Sequence, residues 1–225
     1  MDSRSLLATL QHADSFFPSG AVSFSWGLEA LRADGLVRSV DDVALFAEGQ
    51  LRHRWATSDR PVLIATYAAG DDLEAVAVID HLQDAMALPL ELRLGSRRMG
   101  AALLGVHARL GTPTAASYHS DVVAQRAPGH VAVVQGLVWR GVGLDADAAV
   151  GMGAHCFCIG MIGAALRLGI IGHLDGQRLL AKLRDLIVDL LATPVPQLHE
   201  ISTFTPACDI AFMRHEVQPG RLFAN

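Results

Sequence analysis

The chain has 225 residues, 51% hydrophobic and only 18% charged, which is the reverse of the balance that keeps chains unfolded. Its Gly 21, Pro 9 and Cys 3 supply neither the periods nor the counts of collagen-like, coiled-coil or disulfide-framework proteins. A net charge of −5 gives no overall field to draw it onto nucleic acid, and the surplus of apolar side chains asks for an outlet in a membrane or in partner proteins.

Apolar residues recur at helical spacing along almost the whole chain, and strand-like alternation is scarce. Leu6, Leu7 and Leu10 open a first helical segment. The run Asp14 to Gly20 breaks it, with Ser19 in position to cap a helix from about Gly20 to Ala33. Asp34-Gly35 closes that helix, and Ser39 or Asp41 starts another through Val43, Phe46 and Leu51 toward Trp55. Ser58-Asp59-Arg60-Pro61 has the order of a helix start, because proline in a first turn forfeits no hydrogen bond; this helix extends to about Ala69. Gly70-Asp71-Asp72 leads into the next. Pro89 introduces an amphipathic segment from Leu90 to Leu110, stopped by Gly111-Thr112-Pro113. Helices follow over about His130 to Val142, Asp147 to Ile171 and Leu174 to Leu191. Thr193-Pro194-Val195-Pro196 ends the last, since two prolines in three residues cannot continue a helix. The pattern predicts an all-α fold, a single-domain bundle of about 8 to 10 helices over residues 1–195. Residues 196–225 show no regular period and read as a C-terminal extension.

Ala148 to Leu166 is the one run long and apolar enough to suggest a membrane span. A helix buried in a bundle is apolar all round as well, and the glycines of this run together with His155 favour that reading over a membrane protein. Within it, His155 and Cys158 share a helix face and could ligate a soft metal, but a closed site needs four ligands. Inert buried cysteines beside a core histidine are the better account, so no metal ligand is assigned. The odd number of cysteines and a start, Met1-Asp2-Ser3-Arg4, without a secretory pattern imply a cytoplasmic location.

No phosphate-cradling Gly loop, H-E-x-x-H or G-x-S-x-G pattern is present, and the histidines are dispersed. Neither catalytic residues nor a cofactor is expected. Two stretches stand out instead. Phe16-Phe17-Pro18-Ser19-Gly20-Ala21-Val22-Ser23-Phe24-Ser25-Trp26-Gly27 crowds four aromatics around a Pro-Ser-Gly break, and large exposed aromatics tend to anchor interfaces. The tail from Phe204 interleaves Ile210, Phe212, Met213, Leu222 and Phe223 with Asp209, Arg214, His215, Glu216 and Arg221. It reads as a segment that orders against a partner through apolar anchors and Arg forks, the other possibility being that it packs back on its own domain.

The stretch Ala13 to Glu29 resembles the N-terminal signature of the urease accessory protein F (UreF) family. Phe204-Thr205-Pro206, Asp209 to Glu216 and Arg221-Leu222-Phe223 are similar to its C-terminal signature. Ser96-Arg97-Arg98-Met99-Gly100, and Arg167 to His173 with Gly176-Gln177, resemble its internal blocks. Val22 and Trp26 depart from its usual residues. The resemblance implies an all-α homodimer without enzymatic activity that acts in urease maturation. It binds a UreD/UreH-type accessory protein, recruits the GTPase UreG and docks on apo-urease for GTP-dependent nickel delivery. It further implies that the tail orders when the UreD-type partner binds, and Arg214, Arg221 and Phe223 are expected to anchor that partner. Phe16, Phe17, Pro18, Gly20, Phe24, Trp26, Arg98, Arg167, Gln177, Asp209, Met213, His215, Glu216 and Leu222 are implied as further partner-binding residues. Two alternatives remain: a GTPase-activating regulator inserting Arg98 or Arg167 as an arginine finger, and a membrane protein in nickel handling.

Overall fold

The computed structural model describes residues 2–20, 24–218 and 220–223, and among them there is no β-strand. Helix α1 (Ser3–Ala13) starts where the Asp2 carboxylate accepts from the Ser5 N–H at 2.7 Å. Helix α2 (Leu28–Ala33) is short, and α3 (Val40–Gln50) is held by a reciprocal capping box between Ser39 and Asp42. A π-helical segment (Leu51–Asp59) carries α3 without interruption into α4 (Arg60–Ala69). Then come α5 (Leu73–Met86), α6 (Leu90–Leu110), α7 (Ala115–Val123), α8 (Val131–Gly141), α9 (Ala146–Arg167) and α10 (His173–Leu191). A 3-10 turn (Leu198–Glu200) precedes the final helix, α11 (Pro206–His215).

Helix α9 is the hub, packing against α1, α2, α3, α4, α8 and α10. It meets the length and composition of a membrane span, but 67% of its apolar window is buried inside the chain's own core. Its hydrophobicity is therefore that of a central bundle helix. Helix α8 packs on α4 and α6, and α11 packs on α2 and α6. Close approach is permitted at Gly95 of α6, where any Cβ would overlap the Phe24 ring.

Four expectations from the sequence need correction. Of the helix expected from Gly20 to Ala33, α2 begins only at Leu28, with Gly27 rather than Ser19 at its N-cap. Phe24 and Trp26 are buried, and Trp26 (φ 59) and Gly27 (φ 80) take the left-handed turn that starts α2. Ala21, Val22 and Ser23, part of the same expectation, lie outside the described residues. The helix expected to start at Ser58 to Pro61 is found, α4 running from Arg60 to Ala69 with Pro61 in its first turn, but the expected cap is replaced by the π-helical segment that leads straight into it. Pro61 stands in the first turn of α4, where its missing N–H is tolerated, and the nearby Thr57 carbonyl accepts from the Ser202 N–H at 3.2 Å. Helix α7 was not anticipated because its buried face is narrow, only Ala115 and Tyr118. The aperiodic reading of the last thirty residues fails at α11. Its inward stripe, Cys208, Ala211, Phe212 and His215, has helical spacing but mixed polarity, while Ile210 and Met213 point outward.

Candidate protein-docking site

The N-terminal aromatic stretch, the Gly95–Gly100 region of α6, Arg167 and the tail, far apart in sequence, converge. Residues 202–204 run along the π-helical segment, where Thr57 Oγ1 donates to Ser202 O at 2.6 Å and Phe204 N–H donates to His53 O at 2.9 Å. This strap delivers α11 onto α2 and α6. Phe24 then stacks on Phe212 at 5.8 Å and meets Trp26 edge-on at 4.7 Å, and Trp26 in turn meets Phe157 of α9 at 4.6 Å.

A buried polar lock fixes the tail. His215, with no exposed surface, sits between two carboxylates, Nδ1 at 2.7 Å from Glu91 Oε1 and Nε2 at 2.9 Å from Glu29 Oε2. Glu29 also accepts from the backbone N–H groups of Leu222 at 2.7 Å and Phe223 at 3.1 Å. Burial pushes the Glu29 carboxyl up, but the Leu222 N–H, His215 and the Phe223 N–H together outweigh it and hold its pKa below the ordinary value. At Glu91 burial wins over His215 and Arg221, so its pKa is raised, and its Oε2 has no hydrogen-bond partner. Arg221 lies 3.6 Å from Glu91 Oε1, Arg214 pairs with Asp34 at 2.7 Å, and the Arg167 guanidinium covers the Phe223 ring at 4.5 Å.

The residues singled out in the sequence divide into two sets. Phe24, Trp26, His215 and Phe223 are enclosed in the chain's own core and shape the surface from beneath. Phe17 is half-buried over the rings of His12 and His107, at 4.7 and 5.5 Å, and Asp209 is half-buried beside Thr205. Phe16 is 93% exposed, and Pro18, Arg98, Met213, Arg214, Glu216, Arg221 and Leu222 also face outward. Gly20 (φ 74) lies against Ala102 and Met99 of α6. Gln177 is remote from the tail, in a groove between α9 and α10 that it shares with His155 and Cys158. Helix α11 is thus two-faced: beyond its inward stripe, Ile210, Met213 and Arg214 are exposed at helical spacing, and Val217 continues the line past the helix end.

Sequence reasoning missed Glu29 and Glu91, since acids in apolar segments give no sign of a shared histidine. It also gave no hint of convergence at His130. There Nε2 donates to Asp84 Oδ1 at 2.9 Å and Nδ1 accepts from the Ser96 hydroxyl at 2.9 Å. Burial lowers the His130 pKa. The trio has the ordering of a nucleophile relay, yet Ser96 is buried and also faces the Val131 N–H at 3.4 Å, at the start of α8. With Asp80, which accepts from Tyr118 Oη, Gly129 N–H and His130 N–H, it ties α5, α6, α7 and α8 together. Burial raises the Cys156 and Cys158 thiols to about 12, away from the thiolate form that metals and electrophiles require. Among the described residues no cluster of three or more His, Cys, Asp or Glu suits a metal ion.

Fold and site together define an all-α, single-domain helical protein. The chain belongs to the UreF family, whose profile matches residues 37–184. It is 35% identical to the urease accessory protein UreF of Trichodesmium erythraeum, covering 97% of this chain and 96% of that protein. It is 32% identical to the protein of that name from Kocuria rhizophila, with 97% and 96% covered. For the one from Rhizobium meliloti the identity is 30%, with 99% and 97% covered.

Proposed function

We propose that this chain is a urease maturation scaffold without enzymatic activity, working in the cytoplasm as a homodimer. In this reading it binds a UreD/UreH-type accessory protein, recruits the GTPase UreG and docks on apo-urease for GTP-dependent nickel delivery. The observation that carries the reading is near end-to-end similarity to proteins named urease accessory protein UreF. Support for a docking role comes from the outer face of α11, where Ile210, Met213 and Val217 expose apolar surface around Arg214. A scaffold of this kind acts by differential affinity, since a partner bound equally in two states shifts neither.

The tail is the proposed contact for the UreD-type protein. Deleting residues 204–225 would remove buried Phe212 and Phe223 and so confound binding with folding. The double variant Ile210→Ser and Met213→Ser avoids this. Co-expressed with a UreD-type protein and UreG and followed by size-exclusion chromatography, it is expected to lose the complex while keeping wild-type helical circular dichroism. Complex formation at the wild-type level would refute the assignment of this face.

A further inference from the structure

Helix α1 packs on α9 with its polar side inward. Ser5 and His12 are only 8% and 9% exposed, whereas Leu7 and Leu10 are 66% and 58% exposed and Leu6 also faces solvent. Leucines three and four residues apart share a helix face, so α1 turns an apolar stripe outward, the reverse of the usual surface helix. Its inward side is weakly held. Ser5 Oγ is buried without a hydrogen-bond partner, and Thr9 Oγ1 and His12 Nδ1 donate to carbonyls of α1 itself, Ser5 O and Ala8 O, each at 2.8 Å. Ring packing fixes the end of the helix, where His12 stacks on His107 at 5.2 Å and meets Phe17 at 4.7 Å.

A largely apolar cavity of about 350 Å³ begins at that same end, with His12 and Ala13 on its wall. It follows α9 from Gly153 to Arg167, about 21 Å at 1.5 Å per residue, which exceeds the length of about 16 Å that the eleven residues of α1 give. Cys156, Ile159 and Gly163 of α9 are half-buried on its wall, and a Cβ at Gly163 would meet no atom within 4 Å. A leucine stripe in solvent thus adjoins an apolar groove long enough to take it, and a turn of α1 about its own axis exchanges the two faces.

We propose that α1 is a two-position lid, which besides the position seen here turns about its axis and lays Leu6, Leu7 and Leu10 into the cavity along α9. Burial of the leucines favours the inward position, and the ring packing of His12 favours the outward one. Inward, the helix fills the cavity and withdraws its apolar stripe from solvent; outward, it leaves both open. The proposal is independent of the maturation role.

Disulfide trapping tests it, because Cys156 stands on the cavity wall and a bridge needs Cα atoms within about 7 Å and Cβ directions that face each other. Leu7 and Leu10 point to solvent in the outward position, so only the inward one presents them to Cys156. Leu7→Cys and Leu10→Cys are made separately in the full-length protein, checked by circular dichroism and oxidised with copper–phenanthroline. At least one is expected to form a bridge to Cys156 within one chain, identified by peptide mass spectrometry and lost on adding Cys156→Ser. Gly163→Leu fills the groove from α9 without displacing a neighbour, so adding it should cut the trapped fraction at least about tenfold. Absence of an intrachain bridge in both variants overturns the proposal, as does trapping that Gly163→Leu leaves undiminished. A bridge found only between two chains on a non-reducing gel assigns the groove to α1 of a second copy and overturns a lid within one chain.

Discussion

Glu29, His215 and Glu91 come from three helices and share one water-excluded contact, which makes His215 the residue on which the position of the tail turns. Breaking a buried charged cluster by removing one member leaves the others uncompensated, at a cost of about 3 to 5 kcal/mol. His215→Leu has nearly the right volume but strands two carboxylates. Chemical denaturation should therefore report a loss of that size, and protease digestion should cut first in the tail. A loss under about 1 kcal/mol would mean that α11 is held by Phe212 and Phe223 alone. The unpartnered Glu91 Oε2 marks this lock as incompletely satisfied even when closed.

At the scale of the element, α11 separates its two roles by face. Phe212 is fully buried against Phe24, so Phe212→Ala should cost about 3 to 5 kcal/mol in urea denaturation through lost burial and the cavity left behind. The outer-face changes at Ile210 and Met213 should each stay within about 0.5 kcal/mol, because those side chains touch solvent. If both faces were equally costly, α11 would have to be packed on both sides. The same element logic explains the long rod of α3, the π-helical segment and α4. Pro61 is accommodated because it stands in the first turn of α4, and the tail strap bonds the Thr57 carbonyl close by.

For the whole molecule, buried titratable groups set the pH response. Burial, with His12 nearby, lowers the His107 pKa from 6.5 to about 4, and burial also lowers that of His130. In the unfolded chain these imidazoles take up protons below pH 6.5, whereas in the folded protein His107 stays neutral down to about 4. The unfolded state thus binds more protons in that window, and stability falls as pH drops from 6.5 toward 4. The lowered carboxyls of Glu29 and Asp84 carry the loss further, because the stability they give above the unfolded pKa vanishes as they protonate. Glu91 and Asp59, raised by burial, act in the opposite direction. Melting temperatures across pH 4 to 7 should decline on the acid side, and His107→Gln should flatten the decline; an unchanged slope in that variant would exclude His107 as its source.

Periodicity determined the all-α class and the long helices α6, α9 and α10, because a wide apolar stripe repeated over many turns leaves little choice of structure. The resemblance of four short blocks was also legible, since it depends on residue order alone. Tertiary structure decided the rest. It chose a turn over a helix at Phe24 to Gly27 because two aromatics could be buried there, and it joined α3 to α4 through a π-helical segment along which the distant tail strap runs. It made a helix of Pro206–His215, whose inward stripe becomes recognisable only once Glu29 and Glu91 stand opposite His215. Each of these outcomes rests on partners far away in the chain, and local pattern carries no information about a contact that only folding creates.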